Sequence, residues 1–398
     1  MTPLHERDLE LELRGRIKFG VGAVRALPKL VAAAGNAGGN RAFIITDPGV
    51  LSSGVIEQVR DVLAAAGIEV GVYAEVEPNP DTASIQRGSA ALAAFGIPQT
   101  VIVAVGGGSS MDSAKAISLH SVNGGDVLAL GYHLEDAIPG GPLIAIPTTA
   151  GTGAETNTYG VITDEAAGRK VYVGHPSVLP VWTILDPALT VGLPAGATAA
   201  TGVDAMTHSL ESLLSRNPNP FAEALALQVI RTVHEWLPRA VADGTDLEAR
   251  SQMLVASHLA GIGQQSGTGV GLVHALGHAI GTRGRLAHGT ALAVILPEVL
   301  AFYADEPGLR DRELALAGVA LRAASPTEDP ATGAIAVIGA LRGFLAEVGL
   351  RPNLRSLGFD EALLDVVAQD AIDDAAIANS PRLPTLAEAR AILGSVLD

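Results

Sequence analysis

Apolar positions in the first half of the chain follow two alternating periods. Leu9, Leu11 and Leu13 are separated by Glu10 and Glu12, and Ile17 and Phe19 continue the pattern beyond Gly15. A period of two predicts a strand with one wet face, near a sheet edge or a subunit contact. Helical spacing follows over Ala23–Ala34, then an apolar strand over Ala42–Thr46 with Asp47 at its end. The alternation repeats: a helix over Val55–Ala66, a strand over Ile68–Tyr73, a helix over Thr82–Phe95 and a strand over Val101–Val105. Further strands are expected at Leu143–Pro147 and near Thr158–Thr163, Lys170–Val173 and Trp182–Leu185. Strands alternating with helices of this length predict a parallel, doubly wound sheet. From about Pro194 onward only helical periodicity remains, broken by prolines and glycines. The expected division is an α/β domain over 1–192 and an all-helical domain over 193–398.

With 398 residues there is enough chain for two cores, and 48% hydrophobic against 17% charged residues places it among globular proteins. Zero cysteines exclude disulfides, thiolate catalysis and thiolate metal sites. A formal charge of −16 argues against nucleic-acid binding through a general basic footprint, while leaving room for an anionic substrate held by local arginines. No run of eighteen apolar residues exists, so no spanning helix is expected. The first sixteen residues are charged where a secretory signal needs an apolar run, which points to the cytoplasm.

Candidate chemistry concentrates in two places. The stretch Gly271–Gly289 holds three of the ten histidines. His274 and His278 stand four apart and share a helical face. His288 follows fourteen residues after His274, roughly 21 Å along an unbroken helix. Gly281 and Gly284 lie between and are expected to let the chain turn back. Upstream, Asp204 and His208 are again four apart. One carboxylate with two or three imidazoles suits Fe(II), Zn(II) or a similar divalent ion, and spacing alone leaves open whether His274 or His278 is the ligand. The plainer alternative is a set of unrelated helix histidines.

On the sheet half, Val101–Val105 runs into Gly106, Gly107 and Gly108, with Ser109 and Ser110 opening a helix whose free N–H groups favour phosphate. This is not the GxGxxG fingerprint, nor the first strand–helix turn. After Leu143–Pro147 a second polar loop carries Thr148, Thr149 and Thr152, fit for a ribose or diphosphate, or simply for a helix cap. A ligand joining the two halves is expected in a cleft between domains.

The motifs GGGSSMDSAK, PTTAGTGAE, GVDAMTHSLE and His-x3-His-x9-His occur in the order found in the iron-containing (group III) alcohol dehydrogenases, which the chain resembles over nearly its whole length. The resemblance implies a dinucleotide-binding α/β domain and an all-α metal-binding domain, the architecture shared with dehydroquinate synthase. It implies one divalent ion, usually Fe(II), on Asp204, His208, His274 and His288, with His278 beside it as a proton relay. It implies that Gly106 to Ser110 hold the NAD diphosphate, Asp47 the adenosine ribose with Asn79 nearby, and Thr148, Thr149 and Thr152 the nicotinamide half. Val161 and Lys170 match further cofactor contacts. A carboxylate at Asp47 repels a 2′-phosphate, so NAD(H) is expected over NADP(H).

The implied reaction interconverts a small alcohol and its aldehyde or ketone. The alternatives are an NAD-retaining hydroxyacid-oxoacid transhydrogenase and a metal/NAD lyase of the dehydroquinate synthase type. A homodimer or higher homo-oligomer is expected. Many relatives carry an aromatic and a proline between His278 and His288, whereas this chain has Arg283 and Arg285, which suggest a substrate with an anionic far end. His5, His120, His133, His175, His234 and His258 match no motif and are read as structural.

Overall fold

A strand that is apolar at every position must be covered on both faces, because consecutive side chains point to opposite sides. That requirement organises the first unit of the computed structural model, which describes residues 15–35, 40–131, 136–351 and 353–398. Its elements are β1 (Arg16–Phe19), α1 (Leu27–Ala34), β2 (Arg41–Ile45), α2 (Pro48–Ser52), α3 (Val55–Ala64), β3 (Glu69–Tyr73), α4 (Thr82–Phe95), β4 (Thr100–Gly106) and α5 (Gly108–Asn123). They continue as β5 (Leu143–Pro147), β6 (Tyr159–Asp164), β7 (Arg169–Gly174) and β8 (Trp182–Leu185). Six strands form one parallel sheet in the order β1-β8-β5-β4-β2-β3, and β6 pairs antiparallel with β7.

The odd–even split of side chains is visible in the packing. Phe43, Ile45, Ile102, Ala104, Leu143 and Ala145 face α4 and α5, against Ile85, Leu92, Met111 and Ile117. Ala42, Ile44, Val101, Val103, Val105, Ile144 and Ile146 face α1 and α3, against Leu27, Val31, Ile56, Val59 and Leu63. β4 and β5 are buried at every position. Connections leave β2 toward β3 on one side and β4 toward β5 on the other. The adjacent carboxyl ends of β2 and β4 therefore open a crevice, which is where doubly wound sheets bind ligands. Among the described residues β1 lies at the sheet edge, with all four of its residues exposed. The expected strand over Leu9–Leu13, and His5 and His133, lie outside the described residues.

After β8 every regular element among the described residues is helical: α6 (Ala195–Leu214), α7 (Pro220–Ala242), α8 (Leu247–Gly263), α9 (Leu272–Gly284), α10 (His288–Ala304), α11 (Asp311–Ala320), α12 (Pro330–Glu347), α13 (Leu364–Asp373) and α14 (Leu386–Ser395). By contacts the chain forms two compact units, residues 15–202 with Trp236–His258, and Val203–Glu235 with Leu259–Asp398. None of the helices among the described residues is long and apolar enough to cross a membrane.

Candidate active site

On α6 a spacing of four and then three residues puts Asp204, His208 and Glu211 on one face, and all three are buried. α9 presents His274 and His278 in the same way. The reversal that brings in His288 is not made by glycine, contrary to the expectation. α9 runs straight through Gly281 and ends at Gly284, and Arg285 turns the chain in the left-handed region at φ 52°. The N–H of Leu286 then returns to the carbonyl of Gly281 at 3.2 Å. The glycines supply room instead: a Cβ on Gly284 would come within 2.8 Å of the Phe359 ring. His288 is the first residue of α10.

These elements converge on one carboxylate oxygen. Asp204 Oδ1 lies 3.5 Å from His274 Nε2, 3.7 Å from His288 Nε2 and 3.6 Å from His208 Nδ1. Asp204, His274 and His288 each place a ligand atom within 4.8 Å of the others, while His208 also stacks on the His274 ring at 4.6 Å between centroids. Ligands about 2.1 Å from a tetrahedral ion stand about 3.4 Å apart, so the measured separations are those of donors around one small cation. Asp204 Oδ1 and His274 Nε2 are also buried without a hydrogen-bond partner. Each such atom costs about 1–3 kcal/mol, and more where it is charged. A single cation relieves both. Side-chain exposure is 3% at Asp204 and at His274 but 34% at His288, so the cluster opens on the His288 side.

The local electrostatics fit a cation as well. Burial alone would push the Asp204 carboxyl up, but His208, His288 and His274 hold it far below the usual carboxylate range. Burial pushes the His288 imidazole down; Asp204 offsets part of that, and the neighbouring imidazoles push it further. Burial would also depress His274, yet Glu211 and Asp204 raise it to about 9. His278 stands beside the cluster, its ring stacked on His288 at 5.4 Å, with Nδ1 2.9 Å from Asp374 Oδ2. Arg283 is engaged elsewhere, in a two-pronged pair with Asp370 at 2.6 and 3.2 Å. Arg285 is exposed.

In the sheet unit Asp47, Gly106 to Ser110 and Thr148 to Thr152 lie at or just after the carboxyl ends of β2, β4 and β5. α5 begins at Gly108 behind Gly107 without a side-chain cap, leaving its first N–H groups free for an anion. Gly106 has φ 147°, and a Cβ there would sit 2.3 Å from Ser110 Oγ; one on Gly108 would sit 2.7 Å from Thr152 Cγ2. Asp47 bridges the crevice: Oδ1 accepts the N–H of Val50 at 3.0 Å, capping α2, and Oδ2 accepts the Ser110 hydroxyl at 3.0 Å. Thr148 donates its N–H to the Gly106 carbonyl at 2.9 Å, tying the second loop to the first. Thr152 Oγ1 accepts the N–H of Ala154 at 3.3 Å, so it also serves as a local cap. Gly107 and Thr149 lie side by side, the threonine methyl 3.2 Å from where a Gly107 Cβ would be. Ser109 follows in the first turn of α5. Lys170 donates to Asn79 Oδ1 and Thr163 Oγ1, both at 2.9 Å, and burial lowers it to about 8. Val161 lies between them in sequence, on β6.

Residues 15–187 match the family model described as iron-containing alcohol dehydrogenase, and residues 198–397 match the model for the C-terminal part of that family. The chain belongs to the iron-containing alcohol dehydrogenase family. It is 34% identical over 363 residues to the NAD-dependent methanol dehydrogenase of Bacillus methanolicus, covering 90% of this chain and 93% of that one. It is 35% identical over 371 residues to the lactaldehyde reductase of Escherichia coli K12, covering 92% and 94%. A crystal structure of 1,3-propanediol oxidoreductase matches with a TM-score of 0.91 at 31% identity, over 98% of this chain and 100% of that one. As an iron-containing alcohol dehydrogenase the chain is an oxidoreductase.

Two site residues of this iron-containing alcohol dehydrogenase escape the sequence reading. Glu211 reaches His274 Nδ1 at 2.5 Å, and its place three residues after His208, on the same helical face, was the available signal. Asp374 partners His278 from 96 residues away, with nothing in the local sequence to announce it. The remaining described histidines stay outside the cluster. His120 bonds the Gly125 carbonyl, His175 caps its own turn through Ser177, His234 packs on Phe344, and His258 pairs with Glu155 at 3.0 Å.

Proposed function

We propose that the chain interconverts a small alcohol with its aldehyde or ketone by exchanging hydride with NAD(H), using one divalent ion, iron(II) first among candidates. Asp204, His274 and His288 would hold the ion, with His208 completing the set. The convergence of these donors on Asp204 Oδ1, with two buried polar atoms otherwise unsatisfied, carries this reading. When bound, the ion supplies Lewis acidity to the substrate oxygen and the nicotinamide gives or takes the hydride.

The chain's own residues do the rest. Asp374 accepts the Nδ1 proton of His278, which leaves Nε2 as the atom that takes or returns the alcohol proton. The free N–H groups at the start of α5, with Gly106 to Ser110, would receive the diphosphate; Asp47 would meet the adenosine ribose, near Asn79. Thr148, Thr149 and Thr152 would line the nicotinamide half, with Val161 and Lys170 as further contacts. Arg283 is held by Asp370, so recognition of an anionic far end would fall to Arg285.

The functional boundary is proposed near residue 192, supported by the last sheet strand ending at Leu185 and α6 starting at Ala195. A homodimer or higher homo-oligomer is supported by Ile17, Phe19 and Val21, apolar and about half exposed at or just beyond the edge strand. A cytoplasmic location is proposed, because a reducing compartment keeps iron in its ferrous state.

An anaerobic assay of the Fe(II)-loaded protein tests the reaction, following NADH absorbance against small alcohols, aldehydes and hydroxy acids. Net NADH turnover that disappears on chelation is expected. His278→Ala should retain its metal and slow turnover by about 10²–10⁴-fold. Product formed without any net change in NADH would sink this reading in favour of a transhydrogenase or a lyase.

A further inference from the structure

α9 starts without a cap of its own. Gly271 has no side chain to receive the first N–H groups, and a neighbouring helix does it instead. Glu211 of α6 accepts the N–H of Val273 at 2.7 Å and of His274 at 3.3 Å on Oε1, while Oε2 lies 2.5 Å from His274 Nδ1. Space is kept for it: a Cβ on Gly271 would stand 3.2 Å from Glu211 Oε1. Glu211 is buried, and the ion pair it makes among the described residues is with His274. One carboxylate thus fixes both the backbone and the ring of the same residue.

Hydrogen-bond bookkeeping turns this contact into a statement about a proton. A carboxylate accepts and has nothing to donate, and an imidazole nitrogen facing it must carry hydrogen. In a neutral ring the other nitrogen then holds the lone pair. That other nitrogen is His274 Nε2, 3.5 Å from Asp204 Oδ1 and without a hydrogen-bond partner of its own. We propose that Glu211 is the positioning residue of the metal centre: by accepting a hydrogen bond from the Nδ1–H of His274 it fixes the tautomer in which Nε2 is free to bind the ion. The inference rests on the metal-site reading above and adds a residue outside the ligand set.

Glu211→Gln is the informative substitution, because it keeps the shape and changes only the hydrogen-bond polarity. Glutamine has one accepting end and one donating end. Its oxygen is drawn to the two backbone N–H groups, since the reverse orientation would set an NH₂ against both. The NH₂ then faces Nδ1, which must accept, and the ring proton moves to Nε2, where the ion belongs. A change that leaves packing nearly untouched is therefore expected to disable a ligand.

The test strips the full chain with chelator and titrates it with Co(II) alone, reading the visible spectrum and competition with a chelator. Wild type, Glu211→Gln and His288→Ala are compared, with NADH binding and the melting of the metal-free protein measured alongside. Glu211→Gln should weaken Co(II) by about 10–100-fold, with melting and NADH binding close to wild type. Wild-type affinity in Glu211→Gln, together with weakened binding in His288→Ala, overturns the role of Glu211 and leaves the site reading standing. Wild-type affinity in His288→Ala overturns the site reading and this inference with it. A second measurement needs no change at Glu211. In zinc-loaded protein labelled with ¹⁵N-histidine, the His274 signals, assigned by their loss in His274→Gln, should show the proton on Nδ1. A proton on Nε2 refutes the proposal.

Discussion

In the helical unit the candidate chemistry is carried by side chains: one carboxylate and its imidazoles converge, and the rings of His274 and His278 are each held by a further carboxylate. In the sheet unit it is carried by backbone and by space. Gly106 and Gly108 leave no room for a methyl group, and the capless start of α5 offers N–H groups. The difference follows from what each ligand asks of the protein. A small cation needs lone pairs at fixed separations, which side chains on rigid helices deliver here. A dinucleotide diphosphate needs several donors on a close surface, which a helix N-terminus supplies without side chains. Damage should therefore look different in the two units: loss of a donor in one, loss of room in the other.

The largest effect should come from deleting a donor. Asp204→Ala and His288→Ala are expected to lose stoichiometric metal by elemental analysis and to drop kcat/KM by at least about 10³-fold, in line with several kcal/mol for breaking a buried charge set. Full metal content in both would erase the contrast between the units.

Next comes a dependence on pH in the helical unit. The folded-state pKa of His274 in the metal-free protein is raised to about 9 from 6.5. Its contribution to metal-free stability is therefore fully present below about 6.5 and is lost as pH rises through about 9. Metal must displace that proton, so apparent affinity should climb about tenfold per pH unit across this window. Equilibrium dialysis at several pH values checks this, and a flat profile would contradict it.

The sheet unit answers to volume. Gly106→Ala places a methyl 2.3 Å from Ser110 Oγ on a backbone at φ 147°, and should cost about 1–3 kcal/mol of stability. NADH binding should weaken about tenfold or more, with metal content unchanged, as calorimetry and elemental analysis would report. Asp47→Gly is milder: the α2 cap goes, a loss of a few tenths of a kcal/mol with glycine in its place, and discrimination against NADP(H) should fall severalfold. Equal kcat/KM for the two cofactors in the wild type would remove the basis for that expectation. Smallest of all, Arg285→Met should raise KM for a carboxylate-bearing aldehyde a few fold while sparing a neutral analogue. Equal effects on both substrates would return Arg285 to the surface.

Strands β2, β4 and β5 were legible because two-sided burial gives each an uninterrupted apolar run, and the histidine pairs because four-residue spacing fixes a shared helical face. What stayed hidden has physical reasons. Glu211 reads as an ordinary surface-type residue until α9 is packed against it, and Asp374 meets His278 only through tertiary folding. The turn before His288 misled because glycine is the usual left-handed residue, whereas here close packing claims Gly284 and an arginine takes the turn. Arg283 looked available as a cation, yet Asp370, far off in sequence, holds it.

One strand sets a clock for its whole unit. β4 is buried at all seven positions and hydrogen-bonded to β2 on one side and β5 on the other. Its amides are therefore expected to exchange with heavy water only when the sheet opens as a body. The outer edge of β1, exposed and paired on one side alone among the described residues, is expected to exchange through fraying that leaves the rest intact. A peptide from β4 thus reports the free energy of global opening and a peptide from β1 its local counterpart, so the protection difference between them measures how far the centre of the sheet outlasts its rim.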